Sequence, residues 1–390
     1  MSKSKILVIF GTRPEAIKMA PVVLALRNRG DVETAVCVSG QHREMLDQVL
    51  SVFKIKPDFD INVMTEKQQL SAVSAKILLG ITEVLERYQP AIVVVHGDTT
   101  TSYIASLAAF YLQIPVAHVE AGLRTGNMHS PWPEEFNRRS IGSFAALHFA
   151  PTYEAQENLL AERAPASNIE VTGNTVIDAI RLTLARLNAD IVFRTAASNR
   201  VPNLDPALPI VLVTAHRREN LDGGIHSICD AIATVADTGE AQFVFPVHKN
   251  PRVRSVVHAK LAGRKNVLLT EPLDYPEVVS LMARAYLLLT DSGGIQEEAA
   301  ALRKPCLVMR ETTERPELVA VGGAKLVGTD SRVIVDSVLQ LLRDPVAHRA
   351  MQIVKNPYGD GFAAERISAR LATFLSARLT ASASQLESAK

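Results

Sequence analysis

The feature that most restricts what this chain can fold into is a recurrence. Short apolar runs rich in β-branched residues are each followed by an amphipathic stretch that reads as a helix. KILVIF, ETAVCV, AIVVVHGD, PVAHVE and ALHFAP occupy the first half, and PIVLVTAH, QFVFPVH, NVLLT, YLLLTDSG, PCLVMR and AKLVG the second. Runs that are apolar throughout suit strands covered on both faces, and strands separated by helices lie parallel. The expectation is an α/β protein with two Rossmann-like, doubly wound parallel-sheet domains. Length agrees, because 390 residues, 47% of them hydrophobic, exceed what one core usually holds. A polar stretch with three prolines at 196–209 reads as a surface connection at the start of the second domain, and the crossover itself falls earlier, near 172–177. The expected domains are therefore 1–172 and 173–358.

Charge and cysteine content exclude several classes of function. With 42 basic and 41 acidic residues the formal charge is +1, so no overall field recruits nucleic acid or an anionic membrane, and any anion site must be local. Cys37, Cys229 and Cys306 are far apart in apolar surroundings, which suits buried thiols rather than a disulfide framework or a zinc site. The apolar run Ile6 to Phe10 is too short for a signal peptide, and none approaches the ~18 residues of a membrane span. A cytoplasmic protein is expected.

Open parallel sheets gather ligands outside the carboxyl ends of their strands, so the residues just past each strand are informative. The first strand leads into Gly11-Thr12-Arg13-Pro14-Glu15, which opens like a nucleotide-binding turn but carries Arg13 and Ala16 where a dinucleotide fingerprint has its later glycines. Arg13 and Lys18 at a helix start suit either an anion site or a surface cap. Asp98, after AIVVVHG, is either an acid at a strand mouth or a helix cap. Glu120, after PVAHV, is either paired, with Arg124 as the candidate partner, or poised for proton transfer. His118 reads as a core histidine, and His96 is ambiguous. Glu134 and Glu135 open a helix behind Pro131, Trp132 and Pro133, which alone is an adequate structural role. If that loop faces Asp98 and Glu120, three carboxylates share a cleft and their repulsion raises some pKa values toward neutrality.

In the second half His216, Arg217 and Arg218 come after PIVLVTA, suiting an anion or a solvated charged turn. Ser292-Gly293-Gly294 lets phosphate approach backbone N–H groups at a helix start, and Glu298 is spaced to accept ribose hydroxyls. Gly359-Asp360-Gly361-Phe362-Ala363-Ala364 matches GxGxxA formally, but no apolar strand precedes it, so it is not a dinucleotide fingerprint. The sequence has no HExxH, paired CxxC or GxSxG, leaving metal-dependent hydrolysis and esterase readings without support.

FGTRPEAIKMAP, HGDTTTS, HVEAGLRTG, SPWPEEFNR, VTGNTVIDA, TAHRREN, DSGGIQEEA, TTERPE and NPYGDG, in this order and spacing, resemble the non-hydrolysing UDP-N-acetylglucosamine 2-epimerases over nearly the whole chain. The resemblance implies a glycosyltransferase-B-like domain pair with its active site in the interdomain cleft. A C-terminal helix at 360–379 would join the first domain, ahead of a frayed tail at 380–390. It also implies interconversion of UDP-N-acetylglucosamine and UDP-N-acetylmannosamine without NAD or metal, by a homodimer whose product feeds bacterial surface polysaccharides. By motif, Asp98, Glu120 and Glu134 would be the acid/base carboxylates, and His216 would assist at the pyrophosphate. Arg13 and Lys18 would bind diphosphate or sugar, Ser292, Gly293 and Gly294 phosphate, Glu298 ribose and Arg315 further polar groups. Leu273 and Val278 would read uracil through backbone; Val278 departs from relatives with an aromatic residue there. An activator site for a second substrate molecule is expected near Gln41, His42, Arg43 and Glu44. Other readings are an epimerase of a modified UDP-sugar of the 2,3-diacetamido uronic acid type, a glycosyltransferase of the same architecture, or a sugar-nucleotide sensor.

Overall fold

In the computed structural model the chain divides into two units, Met1–Ala179 with Tyr358–Lys390, and Ile180–Pro357. The residues described are 3–40, 43–63, 69–200, 204–217, 220, 223–353 and 355–388. Gln41 and His42, proposed by resemblance for an activator site, lie outside them.

Among the described residues the first unit holds seven strands: β1 (Ser4–Phe10), β2 (Val32–Val38), β3 (Phe59–Asp60), β4 (Ile92–His96), β5 (Val116–Val119), β6 (Leu147–Ala150) and β7 (Ile169–Val171). All pairings are parallel, in the order β3-β2-β1-β4-β5-β6-β7. The second unit repeats the scheme with β8 (Ile210–Thr214), β9 (Gln242–Pro246), β10 (Val267–Thr270), β11 (Leu287–Thr290), β12 (Cys306–Val308) and β13 (Ala324–Leu326), ordered β10-β9-β8-β11-β12-β13. Each unit therefore has Rossmann strand order, and the winding reverses between β1 and β4 and between β8 and β11. A crevice opens at such a reversal because successive connections leave in opposite directions.

The apolar runs become strands because helices cover both faces: Ile6 through Phe10 and Leu287 through Leu289 have no exposed surface. All three cysteines are buried, and burial pushes each thiol up to about 12, so they pack as small apolar groups. No described helix is long and apolar enough to cross a membrane.

The C-terminal helix spans Ala363–Ser388 and so runs into the segment 380–390 that the sequence reads as a tail. Its start is fixed by Asp178, whose carboxylate accepts the Ala363 and Ala364 N–H groups at 3.3 and 2.8 Å. The GxGxxA look-alike just before it serves packing. Gly359, at φ 113°, passes so close to Gly173 that a Cβ would sit 3.0 Å from the Gly173 Cα.

Candidate functional site

At the β1/β4 reversal the turn after β1 is filled by its own chain. Glu15, nearly fully buried, accepts the Gly11 and Thr12 N–H groups at 3.0 and 2.8 Å through Oε2. Its Oε1 accepts the Thr99 and Ser102 hydroxyls at 2.6 and 2.8 Å, tying the β1 turn to the β4 turn. The Gly11 and Thr12 amides, which in a dinucleotide fold would face phosphate, are thus occupied by a carboxylate. Arg13 opens the helix Arg13–Arg27 behind this turn. Gly11 is required by space: a Cβ there would lie 2.0 Å from Ser39 Oγ and 2.5 Å from Thr101 Oγ1.

Three acids meet at this strand mouth. Glu120 comes directly after β5 in the left-handed region, at φ 59°, a conformation that costs a non-glycine residue about 1 to 3 kcal/mol and that aims its side chain. It pairs with Lys18, and its Oε2 accepts Asn174 Nδ2 at 3.0 Å and lies 3.7 Å from His96 Nε2. Arg124, the partner suggested by sequence, is instead paired with Glu162 at 2.6 Å. Lys18, expected on diphosphate or sugar, is directed at Glu120.

Asp98 does not cap the next helix; Thr99 does, accepting the Ser102 N–H at 3.1 Å. The Asp98 carboxylate lies 2.8 Å from Arg138 Nη2, and Asn137 donates to its backbone carbonyl at 2.8 Å. Burial pushes Asp98 up to about 6 despite the pull of Arg138 and Lys18, and the negative charges of Glu120 and Glu134 add to the rise. Glu134 opens the helix Glu134–Phe144, and its Oε2 is buried without a hydrogen-bond partner among the described residues. Its neighbour Glu135 points inward, fully buried, accepting the Thr125 N–H at 3.1 Å. His118 is a core histidine: its Nε2 bonds the Gly97 carbonyl at 2.7 Å, and burial lowers it to about 3, so it stays neutral.

The β8/β11 reversal of the second unit uses the same device. Fully buried Asp291 accepts the His216 and Arg217 N–H groups, both at 2.8 Å, and Asn220 Nδ2 at 2.9 Å. His216 Nδ1 stands 3.4 Å from Asp291 Oδ1, and the imidazole stacks on His248 with centroids 5.5 Å apart. Two-fifths of the His216 side chain faces solvent. Desolvation of the remainder still holds its pKa below the usual value, opposed by Asp291 and aided by His248 and Arg217, which favours the neutral ring at neutral pH.

Beside it the helix Gly293–Leu302 begins at Ser292 without a side-chain cap, leaving a helix N-terminus suited to an anion. Arg217 reaches this point, its Nη2 3.7 Å from where a Gly293 Cβ would be, and its Nε has no partner among the described residues. Gly294 also belongs to this first turn, and Glu298, 7% exposed, lies further along the helix.

Arg315, expected on substrate, is tied to buried Glu297, Nε to Oε1 at 2.5 Å. Val278, expected near uracil through its backbone, lies in the first turn of the helix Tyr275–Arg284, where its N–H donates to the Asp274 carbonyl at 3.0 Å. Leu273 is buried just ahead of that helix.

Two Rossmann-ordered units, one with a carboxylate trio at its crevice and one with an uncapped, arginine-flanked helix start, are the geometry to be matched. A family model described as UDP-N-acetylglucosamine 2-epimerase matches residues 24–372. The chain belongs to the UDP-N-acetylglucosamine 2-epimerase family. A UDP-N-acetylglucosamine 2-epimerase of Yersinia pestis is 52% identical over 364 residues, 93% of this epimerase and 97% of that protein. The structure of the UDP-GlcNAc 2-epimerase from Neisseria meningitidis bound to UDP-GlcNAc is similar with a TM-score of 0.88 and 48% identity, covering 94% of this chain and 99% of that one. A glycosyltransferase from Streptomyces nogalater shares the fold alone, at 17% identity and a TM-score of 0.61 over 96% of this chain and 99% of its own.

Sequence reasoning missed four residues that shape the epimerase's two crevices: Glu15, Arg138, Asn174 and Asp291. For two of them a signal existed. Glu15 stands three residues after Thr12, the spacing of a capping box, and Arg138 stands one helical turn after Glu134.

Proposed function

We propose that this epimerase inverts C2 of UDP-N-acetylglucosamine, giving UDP-N-acetylmannosamine, by eliminating UDP and adding it back. The C2 hydrogen is not adjacent to a carbonyl, because C1 is a glycosyl carbon bearing diphosphate. Breaking the C1–O bond sends its electron pair to the phosphate oxygen and gives C1 oxocarbenium character, which acidifies C2–H. A carboxylate takes that proton, the C1–C2 double bond forms, and 2-acetamidoglucal and UDP result. A carboxylic acid then protonates C2 on the opposite face while the UDP oxygen re-attacks C1.

The observation that carries this reading is the convergence of Asp98, Glu120 and Glu134, with Asp98 pushed up to about 6, where one carboxyl can both accept and return a proton near neutral pH. Such coupled acids titrate as a set, so the roles of base and acid are shared among the three. UDP falls to the second unit. Ser292, Gly293, Gly294 and Arg217 take the diphosphate, His216 assists its departure, Glu298 takes the ribose and the backbone near Leu273 the uracil. Arg13 adds charge on the sugar side. The ligand of the Neisseria relative supports this substrate. The reading extends to a homodimer supplying N-acetylmannosamine units for surface polysaccharide.

Turnover in D2O tests it. Deuterium is expected at C2 of both sugars, and product without label would exclude proton exchange with the carboxylates. Asp98→Asn, Glu120→Gln and Glu134→Gln should each lose ~100-fold or more in turnover while still binding UDP.

A further inference from the structure

VTGNTVIDA is a motif the roles above leave unused. Its Asn174 lies between β7 and the helix Thr175–Ala189 and is 4% exposed. The bland account is a helix cap, and the Oδ1 does accept the Val176 N–H at 3.0 Å. Capping explains only that oxygen, and Ser, Thr or Asp would supply it equally well. The amide nitrogen does something else: it donates to Glu120 Oε2 at 3.0 Å. Of the common capping residues, asparagine alone pairs an acceptor for the helix with an NH2 donor for a neighbouring carboxylate. Aspartate would cap the helix and set a second negative charge against Glu120.

We infer that Asn174 is a positioning residue for the C2 chemistry, holding the Glu120 carboxylate in its working orientation. Lys18, from the helix Arg13–Arg27, and Asn174 converge on the same oxygen, so the carboxylate is oriented as well as neutralised. Oε1 then falls on the side of Gly97, 3.7 Å from where a Gly97 Cβ would be. His96 from β4 stands 3.7 Å from Oε2, and Asp98 contributes a negative charge across the mouth. Asn174 is itself held from behind. Its N–H donates to the Tyr358 carbonyl at 2.8 Å, and the neighbouring Gly173 packs against Gly359.

This inference rests on Glu120 being one of the acid/base carboxylates, and the test separates the two claims. Asn174→Asp and Asn174→Ser keep a capping oxygen and remove the amide donor; Glu120→Gln is assayed beside them. Asn174→Asp is expected to melt within a few degrees of wild type and to bind UDP normally. It should lose at least ~10-fold in kcat, with the acid limb of its kcat–pH profile moved to higher pH, because an added negative charge disfavours ionised Glu120. Asn174→Ser should move the limb in the same direction by less, and it decides the matter if the aspartate variant does not fold. Wild-type kcat with an unmoved limb in the folded variants, beside an inactive Glu120→Gln, would overturn the positioning role alone. Full turnover by Glu120→Gln would overturn the inference together with the reading beneath it.

Discussion

Arg138→Gln removes the guanidinium placed against Asp98, at 2.8 Å, and leaves the carboxyl in the surroundings that already push it up to about 6. An opposite charge at this range shifts a carboxylate by ~1 to 3 units, each worth about 1.4 kcal/mol, so Asp98 should rise to roughly 7 to 9. Its ionised fraction at pH 7 would fall from about 0.9 to between ~0.5 and ~0.01, a loss of roughly two- to ninety-fold if the ionised form is required. The assay is kcat/KM across roughly pH 5 to 9, which reports groups of the free enzyme and therefore the state described here. The limb assigned to Asp98 is expected to move up by ~1 unit or more, with activity recovering at high pH. A limb that stays in place while activity falls would refute the claim that Arg138 acts through the Asp98 proton.

The same geometry gives two further outcomes. Because the folded-state pKa of Asp98 is raised, its contribution to stability is present at low pH and is lost as pH rises through about 6. Asp98→Asn lacks that loss, so its stability relative to wild type in urea unfolding should grow by up to about 3 kcal/mol between roughly pH 4 and 7; a pH-independent difference would contradict the raised value. Gly11→Ala would force a Cβ to within 2.0 Å of Ser39 Oγ, in a spot where Ser39 and Thr101 already bond each other at 2.8 Å. A loss of ~1 to 3 kcal/mol or more is expected in the same experiment, and wild-type stability would show that the turn has room.

The sheets were legible because their signal is local. All eleven apolar runs identified in the sequence form strands, and the two missed, β3 (Phe59–Asp60) and β7 (Ile169–Val171), are short edge strands without a central strand's apolar run. The acids could be named because a strand mouth is itself a sequence position: Asp98 and Glu120 each stand just past a strand. Their partners were hidden because they come from far along the chain. Lys18 reaches Glu120 across 102 residues and Asn174 across 54, whereas Arg124, only four residues away, turns to Glu162. The same applies to the turn amides. Spacing hinted at Glu15 on the Gly11 and Thr12 N–H groups, but only the fold shows Asp291, 75 and 74 residues along the chain, accepting the His216 and Arg217 N–H groups.

The central claim is that UDP leaves C1 before C2 is inverted. Positional isotope exchange addresses it, using UDP-N-acetylglucosamine with oxygen-18 in the bridge between C1 and the β-phosphorus. Free rotation of the departed phosphate should carry label into non-bridging positions of recovered substrate and of the epimer. Epimer that accumulates with all of its label still in the bridge would mean that the C1–O bond never breaks.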